Sequence, residues 1–552
     1  MQTSSQERIR KLTQDGHWGT ATLHSLLAEA ASRHPDREAI VDPPNKAELT
    51  GHEARRMTYA ELDAASSALA SSLARTGIQR GDAVLVQLPN ISELVLAYFA
   101  LSKLGAIIAP VAVQYGSHEI AGFANTLKPV AMLTLEACRG VALQKQAADA
   151  LPGIRVWDIV RDLNAGTTTA DSDWQPPETD ANDIVTLCWT SGTTGTPKGV
   201  PRSHNMWITQ GRLTLTAGGY QPGERLLAPF PFINMAALGG FLFPAALLGC
   251  TLVLHHPLDA AIYLRQLEDE RINFSIAPPA LLNRLAQQPA LWEQFDFSAL
   301  RAFGSGSVPL SPAMIEVIEG SYGKPVINFY GSNEGIGLFA TPDNAPSPAH
   351  RAALFPRLGV PGMPFESDPP GALLTRVIDP DTGTEITQAE LPGELCIAGP
   401  GVFDGYLDGL GDGVFTGDGL FRTGDMVEIC GDPPIYYRIV GRCKDIINRG
   451  GTKISPSEID TLLEGFPGLA EVAVCAYPDP QLEERICVCV VPVEGQDPPT
   501  LEALCAWMSE HGIAKFKLPE RLEIFESLPR NPLGKIVRSQ LQNAVSERGD
   551  QP

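Results

Sequence analysis

Two hydrophobic periods alternate along most of the chain. Residues 21–80 carry apolar positions at helical spacing, as in Leu23-His-Ser-Leu-Leu-Ala-Glu-Ala-Ala and Thr58-Tyr-Ala-Glu-Leu-Asp, and so predict amphipathic helices. Asp82-Ala-Val-Leu-Val-Gln-Leu reads as a strand and Ile91–Leu104 as a helix. The alternation continues to about residue 440, the signature of an α/β architecture with largely parallel sheets. Between 365 and 440 the texture changes. Short strands such as Ala372-Leu-Leu-Thr-Arg-Val-Ile and Gly393-Glu-Leu-Cys-Ile-Ala stand between Gly, Asp and Pro turns, which predicts a small β-rich subdomain. From Lys444 onward a helix over Ser457–Glu464, strands over Val472–Ala476 and Ile486–Val493, and a helix over Thr500–His511 predict a compact α+β unit. No fixed repeat period is visible.

One apolar stretch tests this reading. Leu226 to Leu258 contains no Asp, Glu, Lys or Arg, a length sufficient to span a bilayer. It is broken by Pro229, Pro231, Asn234, Gly239, Gly240, Pro244 and Gly249. That punctuation predicts a strand, a loop, a helix and a second strand at Thr251–Leu254 inside a core, not a membrane span.

Composition narrows the class. The 552 residues are 44% hydrophobic and 19% charged, enough apolar material for several cores and too little charge for disorder. At roughly 100–200 residues per domain, three or four units are expected. Lys and Arg total 42 against 64 Asp and Glu, a net charge of −22, which excludes a globally basic nucleic-acid binder. Residues 443–552 hold 11 basic and 17 acidic side chains, net −6, so that region is not a basic arm. The ten cysteines include no C-x-x-C pair, and Cys487-Val-Cys489 stands alone. This argues for reduced, buried thiols in a cytoplasmic protein over a zinc or iron–sulfur site. The N-terminal MQTSSQERIRKLTQDGHW has no apolar core and does not read as a secretory signal.

The strongest chemical signal is Thr190-Ser-Gly-Thr-Thr-Gly-Thr-Pro-Lys-Gly199, directly after the apolar run Ile184–Trp189. Glycines and small hydroxyl residues let backbone N–H groups approach phosphate oxygens, and Lys198 adds a charge. Lys198 is followed by Gly199, whereas a Walker A loop requires Ser or Thr there. The segment resembles instead the phosphate loop of the adenylate-forming superfamily: acyl- and aryl-CoA ligases, peptide-synthetase adenylation domains and luciferases. Further segments resemble that superfamily in order. They are Asn328-Phe-Tyr-Gly-Ser-Asn-Glu-Gly335, Phe421-Arg-Thr-Gly-Asp425, Tyr437-Arg-Ile-Val-Gly-Arg442, Gly441-Arg-Cys-Lys-Asp-Ile-Ile-Asn-Arg-Gly-Gly451 and Leu528-Pro-Arg-Asn-Pro-Leu-Gly-Lys535.

The resemblance covers roughly residues 20–540 and implies a fold, a reaction and a set of roles. The implied fold is a large N-terminal domain over 1–442, with two parallel-sheet α/β subdomains and a β-rich subdomain, and a small mobile α+β domain over 443–552. Thr190, Ser191, Gly192, Thr193, Thr194, Gly195, Thr196 and Lys198 would hold phosphates. Gly304, Ser305, Asn328, Tyr330, Gly331 and Asn333 would line the nucleotide site, with Asn333 where the family usually has Thr. Asp425 would accept from the ribose hydroxyls and Arg442 would contact ribose or phosphate. Glu334 would hold Mg²⁺, as a carboxylate suits a hard cation. Lys535 would bridge the acyl carboxylate and the α-phosphate. Lys444 matches the hinge between domains, and Gly450 and Gly451 the tunnel for the acceptor thiol. Phe232, Asn234, Met235, Leu238, Gly239, Gly306 and Ser332 fall at acyl-pocket positions and predict a bulky apolar, aromatic or alicyclic acid. Asn234 occupies the position where catechol and salicylate ligases bind an ortho hydroxyl, although Leu238 and Gly239 replace the hydroxyl residues those enzymes place nearby. The implied reaction consumes ATP and a carboxylic acid to give an acyl-adenylate and pyrophosphate, then a thioester with coenzyme A. The alternative acceptor is the phosphopantetheine of an acyl or aryl carrier protein. Monomer and homodimer are both open.

Overall fold

In the computed structural model the described residues are 2–168, 174–190, 198–306, 310–409, 413–449, 452–511, 513–531 and 534–548. The chain divides into two compact units, Met1–Thr375 with Ile397–Phe421, and Arg376–Cys396 with Arg422–Pro552.

The first unit holds two sheets. One is ordered Ile336–Ala340, Val326–Ser332, Ala302–Gly306, Phe274–Ile276, Arg225–Ala228, Thr251–Leu254, Glu38–Val41, Arg56–Thr58. Its six inner strands run parallel and only the two edge strands are antiparallel. The other is ordered Arg155–Asp158, Ala131–Thr134, Ala83–Val86, Ile107–Pro110, Ile184–Thr190, Lys198–Ser203, antiparallel only at the last pair. Helices Leu23–Arg33, Tyr59–Arg75 and Ser92–Leu104 join both sheets through one apolar core. All thirteen residues of Ser92–Leu104 are buried, which explains a helix without a polar face. Its two charges are compensated: Lys46 Nζ lies 2.9 Å from Glu93, and Lys103 Nζ lies 2.6 Å from Asp63.

The charge-free stretch folds as its punctuation predicts. Arg225–Ala228 is a strand, Met235–Leu248 is helical with a wide π turn at Leu238–Leu242, and Thr251–Leu254 is the returning strand. Among the described residues no helix is long and apolar enough to cross a membrane.

The second unit contains a sheet ordered Tyr436–Arg442, Phe421–Cys430, Pro392–Ala398, Leu374–Ile378, the β-rich element read from the turn spacing. It also contains a second sheet in which Glu483–Pro492 lies between Leu469–Asp479 and Ile447–Arg449. Helices Pro456–Leu463 and Leu501–Glu510 cover one face of that sheet, and Arg538–Glu547 covers the other.

Candidate active site

In open parallel sheets, ligands gather beyond the carboxyl ends of the strands. The residues singled out in the first unit obey that rule. Thr190 ends its strand, Gly304–Gly306 end theirs, Tyr330–Glu334 lie at the end of Val326–Ser332, and the Phe232–Leu238 segment follows Arg225–Ala228. Thr190 pairs with Lys198 across an antiparallel ladder, so both flanks of the 191–197 segment are held in a sheet. Ser191, Gly192, Thr193, Thr194, Gly195 and Thr196 lie outside the described residues.

Glu334 is the centre of this half. It is buried and, among the described residues, no cation forms an ion pair with it. The Tyr406 hydroxyl donates to Glu334 Oε1 at 2.8 Å, leaving the other carboxylate oxygen available. The Tyr406 ring also lies under Lys198, with Nζ 4.9 Å from its centroid. One tyrosine thus links the phosphate-loop lysine to the acidic residue. Gly335 has φ +109°, and a Cβ there would lie 2.1 Å from the Gly401 carbonyl oxygen. Only glycine permits this approach, which lets the Phe403 N–H donate to the Glu334 carbonyl at 2.9 Å.

Asn333 ties three segments together. Its Nδ2 donates to the Trp189 carbonyl at 3.0 Å, and its Oδ1 accepts from the Met235 N–H at 2.8 Å. Asn328 commits its amide to the Arg351 and Ala352 carbonyls at 3.0 and 3.1 Å, so here it braces the Pro348–Ala353 helix. The Ser305 hydroxyl likewise donates to the Ala277 carbonyl at 2.8 Å. The Tyr330 ring stacks obliquely on Phe355, 5.7 Å between centroids.

Four residues that the motifs did not indicate hold this geometry. Arg202 is fully buried and donates to the carbonyls of Asn333 (2.9 Å), Gly401 (2.6 Å) and Met206 (3.2 Å), with its guanidinium 4.3 Å from the Trp207 ring. Burial lowers its pKa to about 9, so it stays charged at neutral pH. Asn90 donates to the carbonyls of Phe230 and His255 and accepts from the Phe232 N–H. The Tyr98 hydroxyl donates to the Phe232 carbonyl at 2.5 Å. Tyr406 is the fourth. Each acts through the backbone or through another side chain, so its identity carries little local pattern.

On the acyl side, Phe232, Met235 and Leu238 are buried. Asn234 Oδ1 accepts from the Ala237 N–H at 3.4 Å and caps the next turn. A Cβ on Gly239 would meet Met235 Sδ at 2.8 Å and Gln210 Cγ at 2.9 Å. A side chain at this position would have to displace Met235 or Gln210. Gln210 Oε1 and Ser332 Oγ are among the buried side-chain atoms that have no hydrogen-bond partner among the described residues.

The second unit assembles its own group. Asp425 and Arg442 are ladder partners, with Arg442 Nε 3.0 Å from Asp425 Oδ1. Gly424, at φ +72°, lets the strand turn between them and accepts from the Cys443 N–H at 2.8 Å. The Thr423 hydroxyl donates to the Leu395 carbonyl and accepts the Asp425 N–H. Lys535 sits on a turn whose ends bridge at Arg530 and Ile536. Asn531 closes that turn, its Oδ1 accepting the Lys535 N–H at 2.9 Å. The Lys535 residue is exposed, while desolvation of its ammonium and the nearby Arg442 charge hold its pKa below the ordinary lysine value, against the pull of Asp425. Lys444 is exposed in the turn after Tyr436–Arg442. Gly450 and Gly451 lie outside the described residues.

Residues 27–407 match the AMP-binding enzyme family, and 458–535 match the AMP-binding enzyme C-terminal domain. The chain belongs to the AMP-binding, adenylate-forming enzymes. These enzymes activate carboxylic acids with ATP. Pyochelin synthase PchD of Pseudomonas aeruginosa is 29% identical over 97% of this chain and 95% of that protein. A feruloyl-CoA synthase of an Amycolatopsis species is 30% identical over 92% of this chain and 97% of that one. The 2,3-dihydroxybenzoate-AMP ligase of Bacillus subtilis is 28% identical over 97% and 95%. Among solved structures, ATP-bound MatB from Rhodopseudomonas palustris superposes with a TM-score of 0.79 at 25% identity, covering 96% of this chain and all of that one.

Proposed function

We propose that this adenylate-forming enzyme activates an aromatic carboxylic acid that carries a hydrogen-bond donor, and transfers the acyl group to the thiol of coenzyme A. The acid class rests on one observation: Gln210, whose Cγ stands with Met235 and Trp207 around Gly239, carries an Oε1 that is buried without a hydrogen-bond partner among the described residues. Leaving such an acceptor unmatched costs about 1–3 kcal/mol, which a hydroxyl or amino group of the substrate would recover. Relatives named for feruloyl and dihydroxybenzoyl substrates agree with that chemistry.

In the first half-reaction a carboxylate oxygen attacks the α-phosphorus of ATP and the bond to pyrophosphate breaks. Lys198 and Lys535 stabilise the charge gathered on the phosphate oxygens. Glu334, a buried carboxylate without an ion-pair partner among the described residues, fits a hard cation; Mg²⁺ held there would supply further positive charge to those oxygens. Asp425 and Arg442 orient the ribose. In the second half-reaction the thiol sulfur attacks the acyl carbonyl, the acyl–phosphate bond breaks and AMP departs, with the thiol proton passing to solvent. We assign Lys444 to a hinge at the 442/443 boundary and Gly450 with Gly451 to the thiol tunnel. The segment Arg530-Asn-Pro-Leu-Gly-Lys535 resembles coenzyme A ligases and favours coenzyme A as acceptor.

A second reading, loading of a carrier protein, is favoured by Asn234 and by the relatives PchD and 2,3-dihydroxybenzoate-AMP ligase. Acid-dependent ATP–pyrophosphate exchange across a panel of carboxylic acids tests the substrate class: hydroxy- and amino-aryl acids should exceed their unsubstituted parents. Equal exchange with the unsubstituted acids contradicts it. Supplying coenzyme A or a phosphopantetheinyl carrier protein in turn separates the two acceptors.

A further inference from the structure

The pair Cys487-Val-Cys489 has no spacing partner in the sequence, yet the fold provides one. Cys475 on Leu469–Asp479 is the ladder partner of Cys487 on the adjacent antiparallel strand. Side chains two apart on a strand share a face, so all three thiols project to the same side. Their sulfur atoms lie within 4.8 Å of one another, with 3.9 Å between those of Cys475 and Cys489. All three are buried and unoxidised. At a metal–sulfur distance of about 2.3 Å, three thiolates around one ion stand ~3.8 Å apart in tetrahedral geometry and ~4.0 Å in trigonal geometry. The Cys475–Cys489 separation lies between these, and the other two pairs lie within 4.8 Å. Among the described residues this is the only group of three or more such ligands.

We infer that Cys475, Cys487 and Cys489 form a three-thiolate site for a soft, closed-shell divalent cation. Thiolates select such ions over Mg²⁺ and Ca²⁺, so the site would not compete with the ATP-linked cation. A divalent ion binding three thiols displaces three protons to solvent and leaves a complex of net charge −1, with no change of oxidation state. The positive charges of Arg521 and Arg538 act on Cys475 and offset that residual charge. The cover over the cluster is thin. Helix Arg538–Glu547 buries only Leu541 and Val545 there, so local opening of this short helix would uncover part of the cluster. Leu528 and half-buried Ile536 pack on the same cluster, so the site adjoins the segment that carries Lys535.

The test is anaerobic titration of the reduced full-length protein with Cd²⁺. A thiolate-to-cadmium charge-transfer band should saturate at one ion per chain, and X-ray absorption of the loaded protein should count three sulfur neighbours. Cys489→Ala should weaken Cd²⁺ binding by about 100-fold, while Cys505→Ala, a half-buried thiol of the same unit, should leave it unchanged. No saturating band, a shell dominated by oxygen or nitrogen, or a Cys489→Ala variant that binds as the parent does would overturn the assignment. The sulfur count is read on the unmutated protein, so a variant that fails to fold leaves the proposal testable.

Discussion

In the proposed reaction Glu334 and Lys535 carry the two charges most closely tied to phosphate chemistry, and the protein holds them in opposite ways. Glu334 is buried, fixed by a tyrosine hydroxyl and by backbone on both sides. Lys535 is an exposed residue on a turn, and desolvation of its ammonium together with the neighbouring Arg442 disfavours its charge. The first arrangement suits a group with the same task throughout the reaction, because a preorganised charge needs no rearrangement. The second suits a group needed in one step and withdrawn in the next. A long, flexible ammonium can be placed and removed, whereas a buried carboxylate cannot.

This contrast can be broken at several points. Glu334→Gln should lower acid-dependent exchange on the order of 10²–10³-fold and raise the Mg²⁺ requirement; a loss of only a few fold would show that the buried carboxylate is not poised for a cation. Arg202→Met removes three donors to buried carbonyls and should cost about 1–3 kcal/mol of stability, read as a lower urea midpoint. The matching change on the exposed side, Arg530→Met, should stay within about 0.5 kcal/mol. If the two variants were equally unstable, the distinction between a locked and a loosely held half would fail.

The buried frame of the first unit also predicts a pH dependence. Desolvation lowers His204 to about 3 and His24 to about 4, and His204 Nδ1 accepts the Leu23 N–H at 3.0 Å. Below the unfolded value of 6.5 the unfolded chain binds more protons, so stability falls as pH drops from about 6.5 towards the folded values. For His204 this amounts to roughly 2 kcal/mol between pH 7 and pH 5. His204→Gln should flatten the dependence, and an unchanged slope would show that this imidazole does not stay neutral in the fold. Tyr406→Phe leaves Glu334 in place without its hydroxyl donor and should give about a tenfold weaker response to Mg²⁺, with the dependence on acid concentration unaltered.

Much of the fold was legible because it follows from periodicity. The helix at Ile91–Leu104, the strand before the phosphate loop and the strand–loop–helix–strand interpretation of 226–258 match observed elements within a few residues. Glu334 and Asp425 were singled out through short motifs with glycine at a fixed offset, and Gly335 and Gly424 both take positive φ beside the carboxylate residue. Arg202, Asn90 and Tyr98 were not legible, because their work is done on carbonyls distant in sequence. The thiol cluster was hidden for a similar reason. A search for C-x-x-C examines one strand, whereas Cys475 reaches the pair from the strand beside it.

The contrast between the two halves is tested most directly by separating the half-reactions in Lys535→Ala. The account predicts that acid-dependent ATP–pyrophosphate exchange collapses while thioester formation from supplied acyl-adenylate continues near the parent rate. An equal loss in both half-reactions would contradict it.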